Sequence, residues 1–183
     1  MAATLPEHRD VIYAALKKAD INTSPDIVKF PHAFTLHNTG NGRPYVSVPY
    51  TGSARDILTL AHEFGHVLQI LNTKAPDTPP VLREVCAFLA EVRLLEHLAS
   101  FNTELRDKIQ NPWARSVAVD FGARRTALLA ACAAPQTPYD YAWNYPLARR
   151  LALEAVNTLD APDHWLLFTG SLDVVSLAGR VGI

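Results

Sequence analysis

A chain of 183 residues with 49% hydrophobic content can bury a substantial core, enough for a single domain. Its 17 basic and 18 acidic residues leave a net charge of −1, which excludes broad electrostatic attraction to nucleic acid or to an anionic membrane surface. The opening MAATLPEHRD lacks a basic stretch followed by an apolar core, and no apolar run approaches the roughly 20 residues that cross a bilayer, so a cytoplasmic chain is expected.

In chain order, residues 7–19 set Val11, Ile12, Ala15 and Leu16 at helical spacing and predict a short packing helix. Two β-rich runs follow, near residues 27–36 and 44–50, parted by the turn-forming Asn38-Thr39-Gly40-Asn41-Gly42; they predict a hairpin. Thr51-Gly52-Ser53 then caps ARDILTLAHEFGHVLQILN, a strongly apolar helix. The linker KAPDTPP ends it, and VLREVCAFLAEVRLLEHLAS begins a second long helix just after the proline pair. The remainder reads as helices broken at 111–112, 134–138, 160–162 and 169–170. Cys86 and Cys132 both fall in apolar helical stretches and read as free buried thiols. Arg124-Arg125 and Arg149-Arg150 read as solvated or ion-paired helix positions. A mainly α body with a small N-terminal hairpin beside the first long helix is the expected fold.

Chemistry concentrates in His62-Glu63-Phe64-Gly65-His66, an H-E-x-x-H pattern inside a predicted helix. Residues four apart share a helix face, so His62 and His66 can aim imidazole nitrogens at one ion. Glu63, about 100° around the axis, can reach a metal-bound water without being a ligand. Imidazole and carboxylate donors suit zinc, one ion per chain, with a coordination position left for water. The third ligand is sought on the next helix, where Glu84, Glu91, Glu96 and His97 are available. Glu84 and Glu91 lie two turns apart on one face among apolar neighbours, as expected if one binds the ion and the other orients a neighbour.

RPYVSVPYTGSARDILTLAHEFGHVLQ resembles the strand, loop and T-L-x-H-E-x-G-H helix of the thimet oligopeptidase and oligoendopeptidase F family of zinc metallopeptidases. REVCAFLAE is similar to that family's E-V-A-S-T-F-x-E helix. The resemblance, which covers about residues 30–155 and is strongest over 44–93, implies a much shortened zincin-like catalytic core of gluzincin type, read as a single domain over residues 1–183, with Glu84 as third ligand and Glu91 in support. Residues 138–145 (PYDYAWNY) are similar to the family's tyrosine-rich segment. By that resemblance Tyr141 donates to the oxyanion of the tetrahedral intermediate, and Tyr139 and Tyr145 line the cleft. The family carries a histidine shortly before this segment, and residues 127–138 contain none; its part falls to tyrosine alone or to His164.

These residues point to a peptidase in which Glu63 is the general base. The strand Tyr45-Val46-Ser47-Val48-Pro49 is expected to offer Val46 and Ser47 on a free edge to an extended substrate. Two alternatives stay open: an amidohydrolase or acyl-transfer enzyme on a small amide-containing metabolite, and a non-catalytic metal-binding interaction protein. His32 and His37 read as surface or packing residues. Neither nucleic acid nor membrane is an expected partner, and a homodimer is one way to cover apolar surface around the site.

Overall fold

The computed structural model describes residues 1–24, 32–37, 40, 42–73, 77–134 and 136–183; within them helices dominate, with one three-stranded sheet. Strands β1 (Asp20–Asn22), β2 (Phe34–Leu36) and β3 (Tyr45–Ser47) stand in the order β1-β3-β2. β2 and β3 run antiparallel, Phe34 opposite Ser47 and Leu36 opposite Tyr45, as the hairpin expectation requires. The first part of the expected first strand, 27–31, and turn residues 38, 39 and 41 lie outside the described residues. β1 was not anticipated; it pairs parallel with β3, Ile21 opposite Val46.

This third strand overturns the expectation of a free edge on β3. With neighbours on both sides β3 is central, and Val46 and Ser47 are each 1% exposed. Their hydrogen-bonding positions are taken by β1 and β2, so neither residue can receive a substrate strand. Among the described residues β1 and β2 are the outer strands instead.

Helix α1 (Arg9–Lys18) buries Ile12 and Ala15, whereas Val11 and Leu16 stay exposed. α2 (Ala54–Asn72) begins at a capping box: Ser53 accepts from the Asp56 amide, and the Asp56 carboxylate accepts from the Ser53 and Thr51 amides and the Thr51 hydroxyl. Slight burial works against the Asp56 charge, but those hydrogen bonds pull its pKa down to about 2. α3 (Pro80–Phe101) starts behind Pro79, with Pro80 in the first turn where its missing N–H costs nothing.

α3 is the central helix. Val85 and Leu89 pack with Val67 and Leu68 of α2, and with Leu151, Ala152 and Ala155 of α6 (Asn144–Thr158). Phe168 of α7 (Ala161–Phe168) and Leu177 of α8 (Val174–Val181) complete the same core. The α2–α3 approach is backbone to backbone: a Cβ on Gly65 would stand 2.6 Å from Ala87 Cα and 2.8 Å from the Cys86 carbonyl oxygen. Only glycine fits there, and the pattern's single glycine thus sets how close the two chemistry-bearing helices lie.

α4 (Thr103–Val119) runs unbroken through Pro112, where a break was expected. Ile109 and Trp113, either side of the proline, join a second apolar cluster with Leu58, Leu95 and Leu98; that burial offsets a proline cost of about 3 kcal/mol. A π-helical turn, Asp120–Arg124, leads into α5 (Arg125–Ala133). α5 has no buried residue, so Cys132 is exposed, contrary to expectation, while Cys86 on α3 is buried. Among the described residues no helix is long and apolar enough to cross a membrane.

Candidate metal centre

The α-helical period turns His62 and His66 of α2 toward α3, where Glu84 occupies the first turns. His62 Nε2 lies 3.3 Å from Glu84 Oε2, and His66 Nε2 lies 3.6 Å from Glu84 Oε1. One ligand atom from each of the three residues falls within 4.8 Å of the others. Ligands bound tetrahedrally at ~2.0–2.1 Å stand about 3.4 Å apart, so the spacing suits a small divalent ion. Glu84 Oε2 is also buried and, unless His62 Nε2 carries a proton, has no hydrogen-bond partner among the described residues; such an atom needs a cation or a donor. Glu96 and His97, the other candidate ligands on α3, turn away: Glu96 pairs with Arg93, and His97 stacks on Phe101.

Charge makes the same demand. Glu63, Glu84, Glu91 and Asp120 are all at least nine-tenths buried, and the guanidinium groups of Arg149 and Arg124 are the arginine partners paired with this group. Four carboxylates against two arginines leave the group short of positive charge beside the histidines, a deficit that a bound cation offsets. Without one, a proton takes its place. Burial opposes charge on His62, yet its hydrogen bonds to Glu84 and Glu91 prevail and push its pKa up to about 10. Burial, together with the His62 charge, drives His66 down to about 4. Burial likewise works against the Glu84 carboxylate, but the His62 hydrogen bond and both histidine charges hold its pKa below the usual range.

A supporting network reaches well beyond the candidate ligands. His62 Nδ1 stands 2.7 Å from Glu91 Oε1; an ionised carboxylate only accepts, so Nδ1 carries the hydrogen and Nε2 faces Glu84. The fully buried Arg149 donates from Nη1 to Glu91 Oε2 at 2.5 Å, from Nε to Asp120 Oδ2 at 2.9 Å and from Nη2 to Ser116 Oγ at 3.0 Å. Its guanidinium lies 3.5 Å over the Phe88 ring. Asp120, at the start of the π-helical turn, also accepts from Arg124. Arg149 and Arg150 are both ion-paired, within the expectation for them, but Arg150 pairs with Glu154 at the surface whereas Arg149 is buried. A signal existed: Arg149 falls in the buried stripe of α6 with Ala148, Ala152 and Ala155. Nothing in the sequence marked Asp120, Ser116 or Thr35.

Thr35 of β2 donates to Glu63 Oε2 at 2.6 Å and thereby aims it. Burial raises the Glu63 pKa above the ordinary carboxylate range, against the opposing pull of His62 and the Thr35 hydrogen bond. The Tyr141 hydroxyl donates to Glu84 Oε1 at 2.8 Å. Burial and the Glu84 charge push the Tyr141 phenol far up, so it remains a donor at any physiological pH. Tyr145, between Tyr141 and Phe88, is raised by burial and by Glu84 to about 12. Tyr139 is 64% exposed, accepts from Asn144 and lines neither cavity at the site. His164, the alternative stand-in for the family's histidine, is buried away from the cluster: Nε2 meets the Ala155 carbonyl and Nδ1 the Arg93 guanidinium.

Two cavities meet at the cluster and share His62, Glu63, Tyr145 and Ala33. One, of about 290 Å³, is lined by β2, His37, His66, Glu84 and Tyr141. The other, of about 510 Å³, extends between α2 and α4 past Arg55, Thr59, Arg115 and Arg124. Among known proteins, no family model, no curated protein and no solved structure matches this chain.

Proposed function

We propose that the chain is a zinc-dependent hydrolase that cleaves peptide bonds of short or unstructured peptides, with His62, His66 and Glu84 as zinc ligands. The observation that carries this reading is the convergence of those three side chains on one point, with buried Glu63 beside them. Their N,N,O donor set favours zinc, and bound zinc would supply Lewis acidity toward the carbonyl and lower the pKa of water. Glu63, raised by burial and aimed by Thr35, is suited to take a proton from water and return it to the leaving amine. Glu91 holds the His62 tautomer, and Arg149 holds Glu91. Tyr141 stays protonated and sits at the ligand carboxylate, from which its hydroxyl is in range to serve a developing oxyanion. The outer strand β2 lines the smaller cavity and supports an extended peptide lying beside Glu63. The motif resemblance to the thimet oligopeptidase and oligoendopeptidase F family, and with it a zincin-like core, supports the same reading.

A second reading, hydrolysis of a small amide-containing metabolite, is favoured by the size of the cavities, about 290 and 510 Å³, which suits a compact ligand. Metal analysis combined with mass spectrometry of a mixed peptide pool tests both. The expected result is one zinc per chain in the wild type and in Glu63→Gln, with peptide cleavage by the wild type alone. Zinc in both without cleavage favours the small-amide reading, and a chain that takes up no zinc sinks the proposal.

A further inference from the structure

The larger cavity carries a charge pattern that the metal chemistry does not use. Arg55 and Thr59 sit on the same face of α2 as His62 and Glu63, two turns and one turn further toward its N-terminus respectively. Across the cavity, Arg115, Ser116 and Val119 line up on one face of α4, and Arg124 follows on the π-helical turn. Arg124 is anchored: Nη1 donates to Asp120 at 2.6 Å, and its guanidinium lies 4.3 Å over the Tyr145 ring. Arg55 and Arg115 are exposed to the cavity and make no ion pair among the described residues. The acidic side chains on the same wall are Glu63 and Glu91, and Glu91 is committed to His62 and Arg149. The cavity therefore turns acidic at the metal centre and basic at its far end.

We infer that this cavity is an anion subsite, in which Arg55 and Arg115 select substrates bearing a carboxylate. The inference rests on the proposed hydrolase and names its substrate class. Seven residues of helix separate Arg55 from His62, about 10 Å along the axis. About three residues of extended peptide span that length at ~3.3 Å each, and a flexible arginine shortens it further. The selected carboxylate thus lies within about three residues of the scissile bond. It belongs either to an Asp or Glu side chain or to the substrate's own C-terminus. Guanidinium suits either source, because its planar fork pairs with both carboxylate oxygens.

The test uses zinc-loaded Glu63→Gln protein, which binds without turnover, titrated calorimetrically with alanine-based heptapeptides. A single Glu or Gln is stepped through each position, and every peptide is made with a free and an amidated C-terminus. About tenfold tighter binding of the carboxylate-bearing member is expected at one position or at the free terminus, and that position identifies the source. The preference collapses in Arg55→Gln/Arg115→Gln and turns toward Lys-bearing peptides in Arg55→Glu/Arg115→Glu. Both pairs replace surface side chains, and zinc stoichiometry reports that the fold is kept. Equal affinity for Glu and Gln peptides, a preference that survives either double substitution, or no binding of acidic peptides overturns the subsite. The hydrolase reading is judged apart from this, by zinc content and by wild-type cleavage of neutral peptides.

Discussion

Gly65→Ala separates the sequence view of this site from the structural one. On helix propensity alone, alanine in place of a mid-helix glycine gains about 1 kcal/mol. In the structure the new Cβ would meet Ala87 Cα at 2.6 Å and the Cys86 carbonyl at 2.8 Å, both backbone atoms that no rotamer change can move. The shortfall from the closest comfortable contact, 3.4 Å, is about 0.8 Å, an overpacking worth about 3 kcal/mol in a dense core. The net loss is about 2 kcal/mol, or roughly 4–8 °C in Tm for a chain of this length. Relief requires α2 and α3 to part, which draws His62 and His66 away from Glu84 at the crossing itself. Zinc affinity should therefore fall at least about tenfold. Urea unfolding and competition against a chromogenic zinc chelator measure the two effects. Gly179→Ala is the control: α8 leaves nothing within 4 Å of its Cβ, so it should stabilise by up to about 1 kcal/mol. A Gly65→Ala protein that is as stable as the wild type, or that is destabilised but holds zinc equally well, would refute the reasoning.

Arg149→Met strands Glu91 and Asp120 without their buried partner and should cost about 3–5 kcal/mol in urea unfolding; Arg149→Lys, which keeps the charge without the fork, should recover part of the zinc affinity that Arg149→Met loses. Zinc must displace the proton that His62 holds with a pKa of about 10, whereas His66, at about 4, is already neutral near pH 7. Apparent zinc affinity should therefore rise up to about tenfold per pH unit below the His62 pKa; calorimetry in two buffers of different ionisation enthalpy should register about one proton released, and pH-independent binding would contradict it. Thr35→Val removes the hydroxyl that aims Glu63 and should lower kcat by about 10–100-fold with zinc content unchanged, as read with a quenched fluorescent peptide. An aromatic disulfide reagent should modify exposed Cys132 within the mixing time of a fast assay. Cys86, buried and with its thiol pushed well up by burial and by Glu84, should react only on unfolding.

The elements carrying chemistry were legible because their signals are local. An i, i+4 histidine pair on a capped apolar helix has one geometry wherever the helix packs, and the pairing of β2 with β3 follows from alternation and an intervening turn. Glu84 and Glu91 were marked by two charges two turns apart in an otherwise apolar helix, and both are buried against α2. What the sequence by itself determined is this set of helices, their faces and the side chains turned toward one another. The tertiary structure alone decided the rest, because each remaining feature depends on a neighbour far away in the chain. Arg149 is 58 residues from Glu91, and its place in the apolar stripe of α6 signals burial without naming the distant partner that burial requires. β3 lost its free edge to β1, a strand too short to register as a pattern. Pro112 stayed helical because a distant apolar cluster outweighs its local cost. Gly65, a weakness when the helix is read alone, is the contact that brings the histidines to the glutamate, because the space a side chain needs is set by α3 and not by α2.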